Sequence, residues 1–293
     1  MMEKLPVRPV GARRWYSRIA IGVSALGTVI GVLLLGAIIV SVLLKGGQAL
    51  SWDFLTGRTR PPGIEGAGIG NAIVGTFVIT LGAAVIAIPI GLLGGIFLSE
   101  YGRGTKLNDV IRFSANVMMG IPSIIVGTFV FALLIMPHGD WWEGGATGIA
   151  GSVALAIIML PVVLRTTEDM LGMVPNALRE AALSTGMPRW LATLGVLFRQ
   201  AKNGLLTGIL LAIARVSGET APLLFVVLNS PGWPTVHSFF NNPTANITVT
   251  IKEYAMNYAS GEMQTRAWGA AFVIMVAVLA INIVTRTVFK QKH

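Results

Sequence analysis

Arg215 and Glu219 stand four residues apart inside Leu205–Leu228, an apolar run long enough to cross a bilayer. A charge near the bilayer centre costs at least about 2.5–3.5 kcal/mol on insertion scales, so it is seldom left there without a role. On a continuous helix this spacing puts guanidinium and carboxylate on one face, where they can pair and front a protein interior or a water-filled path. Such a face suits the passage of a polar solute; the competing reading is an ion pair that only fixes helix packing. Arg165 follows Pro161 toward the end of an earlier apolar run, where a long side chain can snorkel to the interface. Glu168 and Asp169 are expected to be solvated at that interface. Thr166, Thr167, Ser123 and Ser217 offer hydroxyls, although in apolar helices such groups commonly bond the preceding turn.

The elements that must hold these residues are membrane helices. Of the 293 residues 54% are apolar and 12% charged, with a mean hydropathy of +0.72, which excludes a soluble globular chain. Six spans are expected, over 19–44, 69–99, 111–136, 148–171, 204–229 and 266–289. The second exceeds the usual spanning length and should tilt, project beyond the bilayer or break at Pro89. The first follows a basic prefix but is too long for the apolar core of a signal peptide, so an uncleaved helix is expected.

Basic residues lie at the ends of these runs, which argues for membrane topology rather than nucleic acid as the reason for a net charge of +9. Lys4, Arg8, Arg13, Arg14 and Arg18 precede the first span. Arg103, Lys106 and Arg112 follow the second, Arg179, Arg189, Arg199 and Lys202 follow the fourth, and Arg286, Lys290 and Lys292 end the chain. The alternate connections hold only Lys45, Arg58, Arg60, Lys252 and Arg266. This imbalance places both termini in the cytoplasm.

The absence of cysteine removes disulfides, thiolate catalysis and Cys-ligated metals, and His138, His237 and His293 have no ligand spacing, so no metal site is expected. Trp15, Tyr16, Trp52, Tyr101, Trp141, Trp142, Trp233 and Trp268 fall near span ends and read as interface anchors. Gly27/Gly31, Gly91/Gly95 and Gly204/Gly208 have the spacing of close helix contacts, a weak signal in a glycine-rich chain. The segment from Ser230 to Thr265 carries turn signals and reads either as an external docking surface or gate, or as an ordinary connection. Asn246-Ile247-Thr248 is read as a chance glycosylation triplet.

Between the fourth and fifth spans, Pro175 suits a helix start, Asn176 to Leu183 are good helix formers, and Gly186 with Pro188 suits a stop. This predicts a short helix presenting Arg179 and Glu180 beside a flat Ala181-Ala182 patch; taken alone it is as well read as a plain connection. Glu180-Ala181-Ala182, three residues, then Gly186 resembles the EAA loop of binding-protein-dependent ABC importer permeases. The family's usual closing proline is missing, since those positions read Val196-Leu197-Phe198-Arg199. Arg215-Val-Ser-Gly218-Glu219-Thr220-Ala-Pro222, Leu160-Pro161-Val-Val-Leu-Arg165-Thr166-Thr167-Glu168-Asp169 and Gly120-Ile-Pro122-Ser123-Ile124 are similar to the phosphate-specific subgroup. The likeness runs from about residue 69 to the end.

The resemblance implies an all-α, six-span protein of type I importer (MetI-like) architecture in the bacterial cytoplasmic membrane. Residues 1–68 would form a tail, first helix and external loop. Residues 69–293 would form the permease domain, with a coupling loop at 172–203. It implies a phosphate importer half, with a PstC-like sister permease, two ATPase subunits and an external phosphate-binding protein as partners. Glu180, Ala181, Ala182 and Gly186 would dock on the ATPase, and Arg215, Glu219 and Arg165 would line the pathway. The chain has no Gly-x4-Gly-Lys-Ser/Thr loop and is not expected to be an enzyme; ATP and Mg²⁺ would be used by the partner, with no cofactor here.

Phosphate must exchange its hydration for fixed donors, and arginine offers two parallel hydrogen bonds while staying charged. Glu219 would either neutralise Arg215 in the empty state or accept a bond from a phosphate hydroxyl that sulfate lacks. Alternatives are a permease for sulfate or molybdate, an ATP-independent carrier or channel, and a membrane sensor subunit.

Overall fold

The computed structural model describes residues 10–136, 145–257 and 261–288, with side chains from Arg14. Trp141, Trp142, His138 and His293 lie outside the described residues. Thirteen helices follow in order among the described residues. α1 is Val10–Gly47, α2 Trp52–Thr56, and α3 Gly70–Ile96 extended by a π turn over Phe97–Tyr101. α4 is Lys106–Gly120, α5 Ser123–Val130 with a π turn to Ile135, α6 Gly148–Gly172 and α7 Asn176–Ser184. α8 is Arg189–Ala192, joined by a π turn over Thr193–Leu197 to α9, Phe198–Ser217. α10 Leu223–Val226, α11 Val236–Asn241, α12 Ile247–Met256 and α13 Gly261–Val288 complete the chain.

Among the described residues five helical stretches are long and apolar enough to cross a membrane: Arg14–Gly47, Gly70–Tyr101, Gly148–Gly172, Arg189–Ser217 and Gly261–Thr287. The third expected span is not a straight helix. Its place is taken by α4 and α5, which meet at 101° across Ile121-Pro122. A residue before proline avoids helical dihedrals, and Ile121 is extended at φ −73°, ψ 128°. Pro89, by contrast, is carried within an unbroken α3, which reaches Tyr101 by adding a π turn. The fifth span is also corrected. Its helix ends at Ser217 instead of running to 229, and the chain turns at Gly218, whose carbonyl the Pro222 ring would strike in a continued helix.

α6 is the centre of the fold, parallel to α3 and antiparallel to α9. A Cβ on Gly91 would lie 2.8 Å from the Val163 side chain, and one on Gly95 would lie 2.4 Å from Thr167 Cβ and 2.7 Å from the Leu164 carbonyl. On the other flank a Cβ at Gly204 would sit 2.3 Å from Met170 Sδ, and one at Gly208 would sit 2.0 Å from Thr166 Cγ2. Two of the three glycine spacings in the sequence are therefore contacts with α6, while Gly27 and Gly31 have nothing within 4 Å. Lipid tails are as apolar as the side chains, so this fit, rather than exclusion of water, holds helices together. Ala83, Ala87, Val130, Ala154, Met159, Val163, Val216 and Leu223 fill the buried core around α6.

α1 lies along α13 near its last turns, with Lys45 Nζ 4.8 Å from the centre of the Trp268 ring, so Trp268 is a packing partner as well as a span-end aromatic. The outer segment is more ordered than turn signals suggest. Buried Asn71 donates to the Ser230 and Gly232 carbonyls, and Asn246 caps α12 by accepting from the Thr248 and Val249 amides. That buried cap leaves Asn246 no surface for a glycan. Tyr254 of α12 is held protonated above its ordinary range by burial, against the opposing pull of the Arg266 guanidinium.

Gly95→Ala should force α3 off α6 and lower the stability by about 1–3 kcal/mol, whereas Gly27→Ala should not lower it. Detergent-solubilised melting curves of the two variants distinguish these outcomes.

Candidate functional site

Arg215 lies in the last turn of α9, and its side chain lines a groove of about 540 Å³ between α6 and α9. Val162, Thr166 and Met170 form one wall; Asn203, Gly204, Thr207, Gly208, Leu211 and Ala212 form the other. Gly204 and Gly208 set how near the two walls come, because a larger residue at either would collide with Met170 or Thr166 of α6. Val162 lies about 15 Å from the Gly172 end of α6, taking about 1.5 Å of rise per residue, which puts Arg215 near half depth.

The expected helical pair does not form. Gly218 donates its amide to the Arg215 carbonyl and Glu219 donates to Val216, which closes the helix before Glu219. Glu219 is half-buried, and its carbonyl accepts from Thr248 Oγ1 at 2.9 Å. Among the described residues Arg215 has no ion pair and its guanidinium has no hydrogen bond. Non-helical backbone at this depth is tolerable only when neighbouring groups satisfy it. Here the Leu224 amide reaches the Thr220 carbonyl, and the Thr147 amide reaches the Val226 carbonyl.

Arg165 projects elsewhere, outside the residues that line this groove. Its Nη1 donates to Glu168 Oε2 at 2.7 Å, and Arg112 of α4 pairs with the other oxygen of the same carboxylate. Glu168 is 6% exposed, so the expectation of a solvated interfacial carboxylate is wrong for it, although Asp169 is exposed. A carboxylate this buried keeps its charge cheaply only with close cations, and it has two. The spacing of Arg165 and Glu168, three residues apart on one helix face, signals their own pair, whereas Arg112 reads from the sequence as a topology charge and its pairing is set by packing of α4 on α6.

At the same end, α7 starts after Pro175 and stops before Gly186, which takes φ +79°, a conformation open to glycine. Ala182 is buried; Glu180 and Ala181 are exposed. Arg179 is not presented outward as expected. It donates to Glu100 at 3.0–3.2 Å and to the carbonyls of Leu171 and Val174, tying α7 to the ends of α3 and α6. These carbonyls belong to the end of α6 and its exit; the one of Leu171 also accepts from the Val174 amide, so Arg179 uses a second lone pair there. Where the usual closing proline is absent, the π turn over Thr193–Leu197 leads straight into α9.

Residues 87–291 match the model of the binding-protein-dependent transport system inner membrane component. The chain belongs to this permease family. It is 41% identical over 284 residues to the phosphate transport system permease protein PstA of Yersinia pestis, covering 96% of this chain and 92% of that one. Against PstA of Haemophilus influenzae it is 39% identical, covering 96% of each. PstA 1 of Mycobacterium tuberculosis is 38% identical over 220 residues, 74% of this chain and 68% of that one.

The permease fold is shared with solved transporters at much lower identity. A bacterial alginate ABC transporter aligns with TM-score 0.65 over 96% of this chain and 99% of that one, at 14% identity. The MetNI methionine ABC transporter in an inward-facing state aligns with TM-score 0.55 over 76% and 93%, at 19% identity. Like other permeases named as transport components, the chain is not an enzyme.

Arg179 and Glu100 are both nearly buried, so breaking their contact should cost several kcal/mol, and lysine cannot restore the fork. Arg179→Lys is expected to speed amide exchange across 176–184 by at least about tenfold, with α6 and α9 unchanged. Hydrogen exchange followed by mass spectrometry reads this directly.

Proposed function

We propose that this chain is the permease subunit of an ATP-driven importer of inorganic phosphate, contributing half of the transmembrane pathway. The observation that carries the reading is Arg215, an unpaired guanidinium at half depth in a groove between two helices. High-coverage relatives that are phosphate transport permeases supply the substrate class. The open side of the groove would be closed by a sister permease of PstC type. Residues 69–293 would form this transport domain, preceded by the tail and α1.

In this reading phosphate enters from an external binding protein, exchanges part of its hydration for Arg215, and leaves the groove on the α7 side, where Arg165 would meet it only beyond the groove. Both termini would be cytoplasmic. Glu180, Ala181, Ala182 and Gly186 would seat α7 on one of two ATPase subunits, which use ATP and Mg²⁺. Closure of the ATPases would then move α7, and Arg179 with Glu100 would pass the motion to α3. Glu219, fixed by Thr248 beyond the helix end, would accept a bond from a phosphate hydroxyl, which sulfate cannot donate.

The reading is tested by ATP-dependent uptake of labelled phosphate in vesicles containing the four-component complex. Arg215→Gln should reduce the initial rate about 10- to 100-fold with assembly intact, the scale of a lost charge-assisted contact. Undiminished uptake would make Arg215 structural. In the same vesicles, Glu219→Gln should erode the preference for phosphate over sulfate; an unchanged ratio removes Glu219 from recognition. Uptake that proceeds without the ATPase would point to an ion-driven carrier instead.

A further inference from the structure

A second positively charged cavity, of about 320 Å³, lies outside the transport groove, between the end of α3 and the α7–α8 hairpin. Arg103, Arg179 and Arg189 line it with Tyr101 and Thr193, and Glu100 is its single carboxylate. That carboxylate is already spent. Both of its oxygens accept from Arg179, and one also accepts from the Ser99 hydroxyl.

The other two arginines are not spent. Arg103 uses Nε on the Ser99 carbonyl, while its terminal nitrogens have no partner among the described residues. The Arg189 guanidinium has none among the described residues. Arg103 also borders a neighbouring cavity that contains Asp109 and Asp169, yet it pairs with neither. Two planar forks with unused donors therefore face one concavity whose own negative charge is neutralised.

We infer that this cavity binds a phosphate-bearing anion, separately from the transported ion. Guanidinium forks match the tetrahedral oxygens of a phosphate monoester, diester or free phosphate, and two of them hold such a group better than a single carboxylate. The position bears on coupling. Leu183 of α7, Ala192 of α8, Thr193 just after it and Tyr101 at the end of α3 share the walls, so an anion bridging Arg103 and Arg189 would tie the α7–α8 hairpin to the end of α3. Exposed Trp190 and lining Tyr101 are residues of the kind found at headgroup level, which makes an anionic lipid headgroup one source; free phosphate from the adjoining solution is the other. The inference goes beyond the transport reading and does not require it, since neither arginine lines the Arg215 groove.

The test is hydrogen exchange on the full chain in nanodiscs, in the absence of transport. Phosphatidylcholine discs give the baseline; phosphatidylglycerol discs, or phosphatidylcholine discs with millimolar inorganic phosphate, supply the two sources. Amides of 97–103 and 183–197 should exchange about fivefold more slowly with at least one source. Arg103→Gln with Arg189→Gln should abolish that protection while leaving α6 unchanged, and the paired lysine variants should retain part of it. Protection by phosphatidylglycerol alone assigns a lipid, and protection by phosphate alone assigns the free anion. No protection from either, or protection that survives the double glutamine variant, overturns the proposal. So does protection that arises only when the ATPase subunit is added, because the counter-charge is then a protein carboxylate.

Discussion

Close approach to α6 is the constraint on which the other positions depend. In a lipid environment helices gain little by hiding apolar surface from one another, so their spacing follows from how near the backbones can come. Glycines on α3 and α9 bring both to α6, with Gly91 and Gly95 on one flank and Gly204 and Gly208 on the other. This placement also orients the charges. Val162, Thr166 and Met170 turn toward α9 and the groove, while Arg165 and Glu168 turn toward α4. Two charged arrangements can thus occupy one helix without sharing a cavity.

Much of this was legible in the residues. The apolar runs located five of the six membrane segments, and α7 could be bounded to within a residue because Pro175 and Gly186 act through local backbone preferences. Two boundaries were misplaced for one reason. Hydropathy reports what surrounds a segment, not whether its backbone is helical, so it ran through Ile121-Pro122 and through Gly218 to Pro222. The breaking residues were visible in both places, and they prevailed because protein groups satisfy the backbone they release.

The charged residues were harder to place. Spacing suggested that Arg215 and Glu219 pair, but spacing has meaning only while the helix continues, and it ends between them. Glu168 and Arg179 were read as surface groups from their nearness to span ends. Each instead has partners distant in sequence, Arg112 and Glu100, which no local pattern encodes. Chain ends of neighbouring helices meet there, and tertiary packing decides which charges face inward.

The end of α9 at Arg215 has one more consequence. The carbonyl end of a helix carries a partial negative charge of roughly half a unit, and Arg215 sits on it. An anion arriving there meets a guanidinium whose field is already partly offset by its own helix. Full attraction at half depth would make a trap, with entry rewarded and departure slow. A weakened cation shortens the dwell time, and an ion that must be passed onward needs a foothold it can leave.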